Sequence, residues 1–305
     1  MEFRIASVRA RPFGLRAWML ALASLALASC WSNPPQPEPG TSPPLFEIVN
    51  ANGEIEGWML GTIHALPDDV GWRTNEIERV IDIADILVVE VADMEDQQAI
   101  ADAVAELAES EGLPALPQRV APSLRPTLID LVGRSGVTLD QFSGTETWAA
   151  ALALAQVEAQ GDPKNGVDRA VIGDFEDREV IEFEGVVGQL TIFDSLAEED
   201  QRDLLEGVLQ ESQLAREDPG RLRRAWLKGD LGALEQATTT GIMADAELRE
   251  ALLIKRNRNW IGKLSGLLRD RDRPLVAVGA AHLVGEDGIP ALLEERGYSV
   301  RRIGR

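Results

Sequence analysis

Residues 274–290 read PLVAVGAAHLVGEDGIP, and the fold turns on how this stretch is parsed. Leu275 to Val278 is an uncharged apolar run of strand length. Gly279-x-x-His282 follows it, and Pro290 then stands where proline suits the first turn of a helix, IPALLEERG, residues 289–297. The chain has 305 residues and only two histidines. The other lies in GWMLGTIHALP, residues 57–67, again as apolar run, Gly61-x-x-His64 and a small apolar step. The matching contexts of His64 and His282 point to a shared purpose.

Working outward, LFEIVNANGEIEGWMLGTIH (45–64) alternates around Asn52-Gly53, which predicts two antiparallel strands joined by a tight turn, the second delivering His64 at its end. RTNEIERVIDIADI (73–86) spaces Ile77, Val80, Ile81 and Ala84 at helical intervals, and ILVVEV (86–91) reads as a short apolar strand with Glu90 as its one charge. From about residue 93 to 160 the pattern is helical: EDQQAIADAVAELAE (95–109), SLRPTLIDLVGRSG (123–136) and ETWAAALALAQVEA (146–159). REVIEFE (178–184) predicts another strand, LAEEDQRDLLEGVLQESQLA (196–215) a helix with an acidic first turn, and Asp245 to about Leu268 one long helix. YSVRRI (298–303) is the last strand. Strands alternate with helices at both ends of the chain. The expectation is therefore an α/β fold, with α+β as the variant: a mixed central sheet from N- and C-terminal strand–GxxH–helix–strand units, with a helical insertion between them.

The first residues lie outside that fold. Residues 1–29 have a basic start (Arg4, Arg9, Arg11, Arg16) and an apolar stretch of about a dozen residues, shorter than the roughly 20 that span a bilayer. They close on Leu27-Ala28-Ser29-Cys30, which resembles a bacterial lipobox, so Cys30 is expected to be the acylated first residue of a membrane-anchored lipoprotein. Trp31 after it predicts outer-membrane sorting, with the globular part facing the periplasm. Residues 30–45, with six prolines between Trp31 and Leu45, predict an extended tether, and 46–305 the globular domain. Cys30 is the only cysteine, which excludes an internal disulfide, a thiolate metal site and a cysteine nucleophile. The net charge is −21, and residues 1–29 carry four Arg and one Glu, so the remainder carries −24. Such acidity argues against nucleic-acid partners and against lipid binding by charge, and leaves the acyl anchor as the route to the membrane.

In open α/β sheets the ligand crevice lies beyond the carboxyl ends of the strands, where these elements put both histidines. Gly61 and Gly279 permit close backbone approach or an unusual turn that aims each imidazole into the crevice. Glu90 is the natural third member, since a carboxylate in an apolar run is costly to bury without a cation or donors. Two imidazoles and a carboxylate suit a hydrolytic divalent-metal site with a position left for water. The competing expectation for Glu90 is an ion pair with an arginine such as Arg73 or Arg256. No Gly-x-Ser-x-Gly and no His-Glu-x-x-His occurs.

These residues resemble the TraB/GumN family, which includes the Tiki-type metalloproteases. WMLGTIHALP (58–67) is similar to its first Gly-x-x-His motif, ADILVVEV (84–91) to its acidic strand, and VAVGAAHLVGEDGIPALLEERGYSV (276–300) to its second Gly-x-x-His motif with the tail that follows. TWAAALAL, NGVDRAV, EVIEFEGVVGQL and KRNRNW resemble internal blocks. Two positions depart from the pattern: Gly185 stands where a Thr usually follows the Glu, and Lys255 where a Glu usually precedes Arg-Asn. The resemblance implies a divalent metal (Mn, Co or Zn) with His64 and His282 as ligands, Glu90 as a ligand or the general base, and Asp168, Glu184 and Asn257 as residues supporting them. For the animal members it implies peptide-bond hydrolysis, hence a peptide or protein substrate. The alternative of another class is a haem- or ligand-binding lipoprotein without catalytic activity, since histidine ligates haem iron equally well.

Overall fold

The computed structural model describes residues 35–92, 102–104, 106–158, 161–270 and 272–304. The expected signal segment, Cys30 and most of the helix expected at 95–109 lie outside the described residues.

Strands β1 (Leu45–Val49) and β2 (Ile55–Thr62) pair antiparallel. Their connection is longer than the two-residue turn expected. Asn50 accepts backbone N–H groups of Asn52 and Glu54 through its side chain, and Gly53 alone takes positive φ, +85°. After β2 come helix α1 (Asn75–Ile83), capped by Thr74, and strand β3 (Ile86–Val89). The middle of the chain supplies α2 (Arg125–Ser135), α3 (Thr147–Ala155), α4 (Val167–Asp174), a short strand β4 (Val180–Glu182), α5 (Gly185–Asp194), α6 (Glu198–Glu217), α7 (Arg221–Lys228) and α8 (Leu231–Ala237). The long helix expected after Asp245, here α9, runs unbroken through Ala246–Arg249, a π-helical turn Glu250–Ile254 and Lys255–Leu267. Strand β5 (Pro274–Gly279), α10 (Ile289–Glu294) and β6 (Ser299–Arg302) complete the fold.

The six strands form one mixed sheet in the order β4-β3-β5-β2-β1-β6, with β4, β3, β5 and β2 mutually parallel. Strand alternation sends Leu60, Leu87, Leu275 and Ala277 to one face, where Ile77, Val80 and Ile81 of α1, Val171 of α4 and Trp226 of α7 cover them. Met59, Val88, Val276 and Val278 face the other way, onto Trp260, Ile261 and Leu264 of α9 and Leu292 and Leu293 of α10. A third core, built from Leu128, Trp148, Leu154, Leu205, Leu209 and Leu252, belongs to the helical insertion. This is the α/β architecture expected.

Between neighbours β2 and β5 the chain reverses direction of travel across the sheet. β2 connects through α1, on the first face, to β3; β5 connects through α10, on the second face, to β6 on the far side. Connections diverging from adjacent parallel strands open a crevice at their carboxyl ends.

Gly61 shows how tightly that end is packed. A Cβ there would lie 3.0 Å from Pro44 Cβ and 3.1 Å from Ala280 Cβ, while the Gly61 carbonyl accepts the Trp226 indole N–H at 2.7 Å. Gly61→Ala should therefore destabilise the fold by about 1–3 kcal/mol through overpacking. Urea unfolding of the two proteins measures it; equal midpoints would show that β1 and the turn after β5 yield freely.

Candidate functional site

Each strand stops just short of the residue with chemistry. β2 ends at Thr62, β3 at Val89 and β5 at Gly279, so His64 and Glu90 lie past the ladder and His282 sits on a 3₁₀ turn, Ala280–Leu283. Glu90 is thus beyond β3 rather than inside it, and Glu184 likewise lies beyond β4, which is shorter than the strand expected over 178–184. Because the parallel register pairs Thr62 with Gly279 and Val89 with Ala277, β2 and β5 end level and β3 ends two residues earlier, which puts Glu90 opposite Val278.

They converge on Gly279. A Cβ built on it would lie 3.3 Å from Glu90 Oε1, 3.7 Å from His282 Cδ2 and 3.9 Å from His64 Nε2, and its N–H donates to Glu90 Oε1 at 2.8 Å. Its φ is −48°, so glycine serves here for room and not for a left-handed turn.

Both imidazoles are held by Nδ1. His64 Nδ1 lies 3.0 Å from Asp168 Oδ2, and Asp168 is carried by the first turn of α4, which is fastened to the His64 loop by Val167 N–H donating to the Ile63 carbonyl at 3.0 Å. A carboxylate only accepts, so Nδ1 carries the proton and the neutral ring presents an Nε2 lone pair. For His282 the same follows from Asn257. The Asn257 Nδ2 donates to the Asp287 carbonyl at 2.8 Å, which turns its Oδ1 to His282 Nδ1 at 2.5 Å. His282 is 5% exposed and packs on Trp260, ring centres 4.4 Å apart.

Arg256 supplies the charge that permits Glu90 to be buried. Its Nη2 donates to Glu90 Oε2 at 2.6 Å, its Nε and Nη2 grip Glu184 at 2.9 Å each, and Trp260 Nε1 donates to Glu184 Oε1 at 3.0 Å. Gln189 Nε2 adds a donor to Glu90 Oε2 at 3.3 Å. Of the two arginines considered for Glu90, Arg256 is the partner; Arg73 instead pairs with Glu78 and Asp174. Arg256 and Asn257 directly follow the π-helical turn, and π turns recur at functional sites because they shift the helix face by one residue.

The two rings differ in electrostatics. Burial first, then Arg256, pushes the His282 pKa down to about 4, so it is neutral at pH 7. The hydrogen bond to Asp168 raises that of His64 to about 9, a pull that water damps at a side chain 68% exposed, so this ring offers Nε2 to a cation only on giving up its second proton. Burial alone would raise the Glu90 pKa; the surrounding cationic groups overcome it and hold it down to about 2, and since His282 is neutral, Arg256 is the dependable charge among them.

Among the described residues no group of three His, Cys, Asp or Glu side chains is arranged as a metal site. The donor types gathered around Gly279, two imidazoles and a carboxylate each with outer partners, are nonetheless of the kind that a divalent ion takes. All residues singled out from the sequence, apart from Cys30, which lies outside the described residues, gather at this end of the sheet. The departures leave the cluster intact. Gly185 takes φ +73°, which suits glycine, while Glu184 keeps its grip on Arg256, and Lys255 points to solvent. Gln189 and Trp260 were not anticipated. Trp260 lies one helical turn after Arg256, a spacing that places both on one face.

A model of the TraB/PrgY/gumN family matches residues 45–302. The chain is also 24% identical over 252 residues to "Uncharacterized protein YbaP" of Shigella flexneri, covering 80% of this chain and 90% of that protein. No solved structure matches.

Proposed function

The chain belongs to the TraB/PrgY/gumN family, and on that premise we propose that it is a divalent-metal-dependent hydrolase of the peptidase type, carried at the cell envelope by a lipidated Cys30. The observation that carries this is the meeting of two Nδ1-anchored imidazoles and an ionised Glu90 around Gly279. His64, His282 and Glu90 would hold the ion, whose chemistry when bound is to polarise a carbonyl and acidify water. Asp168 and Asn257 keep each ring in the tautomer that offers Nε2. Arg256 keeps Glu90 ionised, which suits it to hold a cation and makes it a weak proton acceptor while that pairing lasts. The guanidinium Nη1 donates to the Leu252 carbonyl at 3.0 Å and stands 3.4 Å from His282 Nε2, so its positive charge would favour negative charge developing in the cleft. The cavity, of about 320 Å3, is lined by Thr62, His64, Glu90, Asp168 and Gln189.

The haem-binding alternative is served less well. His282 is buried against Trp260, so only the exposed His64 offers a ring to a group as large as a macrocycle.

The test is to strip the purified protein with a chelator and offer a mixed peptide library. Cleavage should be lost and return on adding Mn2+, Co2+ or Zn2+; a protein that cleaves nothing under any of the three is not this hydrolase. Anchoring is tested separately. Among the described residues no helix is long and apolar enough to cross a membrane. The parent should fractionate with membranes and Cys30→Ser should not; identical location and mobility of the two would remove the anchor.

A further inference from the structure

A second depression, of about 400 Å3, opens beside the candidate centre. His64 and Ala65 line both cavities, so the exposed imidazole stands on the ridge between them. The floor of the second cavity is apolar and buried, with Leu154 of α3 and Val208 of α6 at 1% and 3% exposure. Leu214 and Leu222 form its lip; they are two of the six large apolar side chains left exposed among the described residues. Charges of both signs, Glu211, Asp218 and Arg221, stand exposed around it.

We infer that this groove is the side-chain subsite of the substrate: it seats a large apolar side chain, Leu- or Phe-sized, of an extended peptide whose neighbouring bond crosses the His64 ridge to Glu90. The inference rests on the peptidase reading above for the position of that bond. Exposed leucines around a hollow are a surface that water leaves readily, and the volume lies in the range of pockets that enclose a ligand group. The rim decides between occupants. A peptide backbone offers donors and acceptors in alternation to carboxylates and guanidinium groups, whereas an acyl chain offers them nothing.

The test uses two fluorescein-labelled peptides identical except for Leu or Gly at one internal position, titrated into the chelated, intact protein so that binding is read without turnover. The Leu peptide should bind roughly tenfold tighter or more, as burial of one such side chain requires. Ala215→Trp, which fills the groove, and Leu222→Glu, which charges its lip, should each erase that preference while Mn2+ affinity by calorimetry stays at the parent value. Both positions are at least partly exposed, and if one variant fails to fold by circular dichroism the other carries the test. Equal binding of the two peptides, or a preference that survives in a folded variant, overturns the subsite. So does laurate binding that both variants abolish in the absence of any Leu preference, which would give the groove to a lipid. Should the Leu preference hold and respond to the variants while no metal restores cleavage, the subsite stands and the peptidase reading falls.

Discussion

Replacing Arg256 by alanine should lower the stability of the metal-free protein by about 3–5 kcal/mol, the cost of leaving buried charge uncompensated. Arg256, Glu90 and Glu184 have side-chain exposures of 12%, 11% and 11%, so neither carboxylate can turn to water when the guanidinium is removed. Lysine should not rescue it, because a point charge cannot hold Glu184 by two nitrogens while reaching Glu90 with the same fork. The deficit should depend on pH with a definite sign. In the parent, Glu90 ionises at about 2 against an ordinary 4.5, so its contribution is present above pH 4.5 and lost as pH falls through about 2. Without Arg256 one of the groups that hold it down is gone, the Glu90 pKa rises, and protonation relieves the variant. The gap between the two proteins, measured by urea unfolding in chelator, should be widest near pH 7 and shrink below about pH 5. A gap that is constant with pH would mean that Arg256 acts by packing on Trp260 and not by charge.

His64→Ala should weaken binding of Mn2+, Co2+ or Zn2+ by at least about 100-fold, since loss of an outer partner alone costs 10–100-fold. It should cost less unfolding free energy than His282→Ala does, about 1–2 kcal/mol, because the His64 side chain is 68% exposed and leaves no cavity, the loss being that of the donor to Asp168 Oδ2. His282→Ala should match it in metal affinity but also unfold earlier by about 2–3 kcal/mol, having emptied a buried site against Trp260 and left Asn257 Oδ1 without its donor. Calorimetric metal titration beside unfolding curves separates the two effects. Unchanged affinity in His64→Ala would exclude that ring as a ligand, whatever His282→Ala does.

The paired Gly-x-x-His motifs, Glu90 and the strand–helix alternation at both chain ends were legible because each has a short-range signature: apolar runs, helical spacing, a charge where none belongs. What brings them together was not. That β5 threads between β2 and β3, and that Gly279 opens the point where three side chains meet, depends on pairing across the whole chain, which periodicity does not encode. The π turn at Glu250–Ile254 was invisible for a related reason. A helix with one residue per turn too many keeps the composition of an ordinary helix, and only its tertiary partners, here Glu184 and His282, show that the face has shifted. The same holds for Gln189, one polar residue among others on α5 until Glu90 is placed opposite it.

The strand order also constrains how the molecule is made. β5, the strand between β2 and β3, is made after both of them and after the whole helical insertion. Until it emerges, the nascent chain carries β2 and β3 each with an unpaired edge and lacks His282 altogether. Edges of that kind invite pairing with other chains. Completion of the sheet therefore waits on β5 and is dominated by long-range contacts, which fold slowly. A nonsense codon anywhere before residue 274 therefore yields a product with neither a finished sheet nor a cleft.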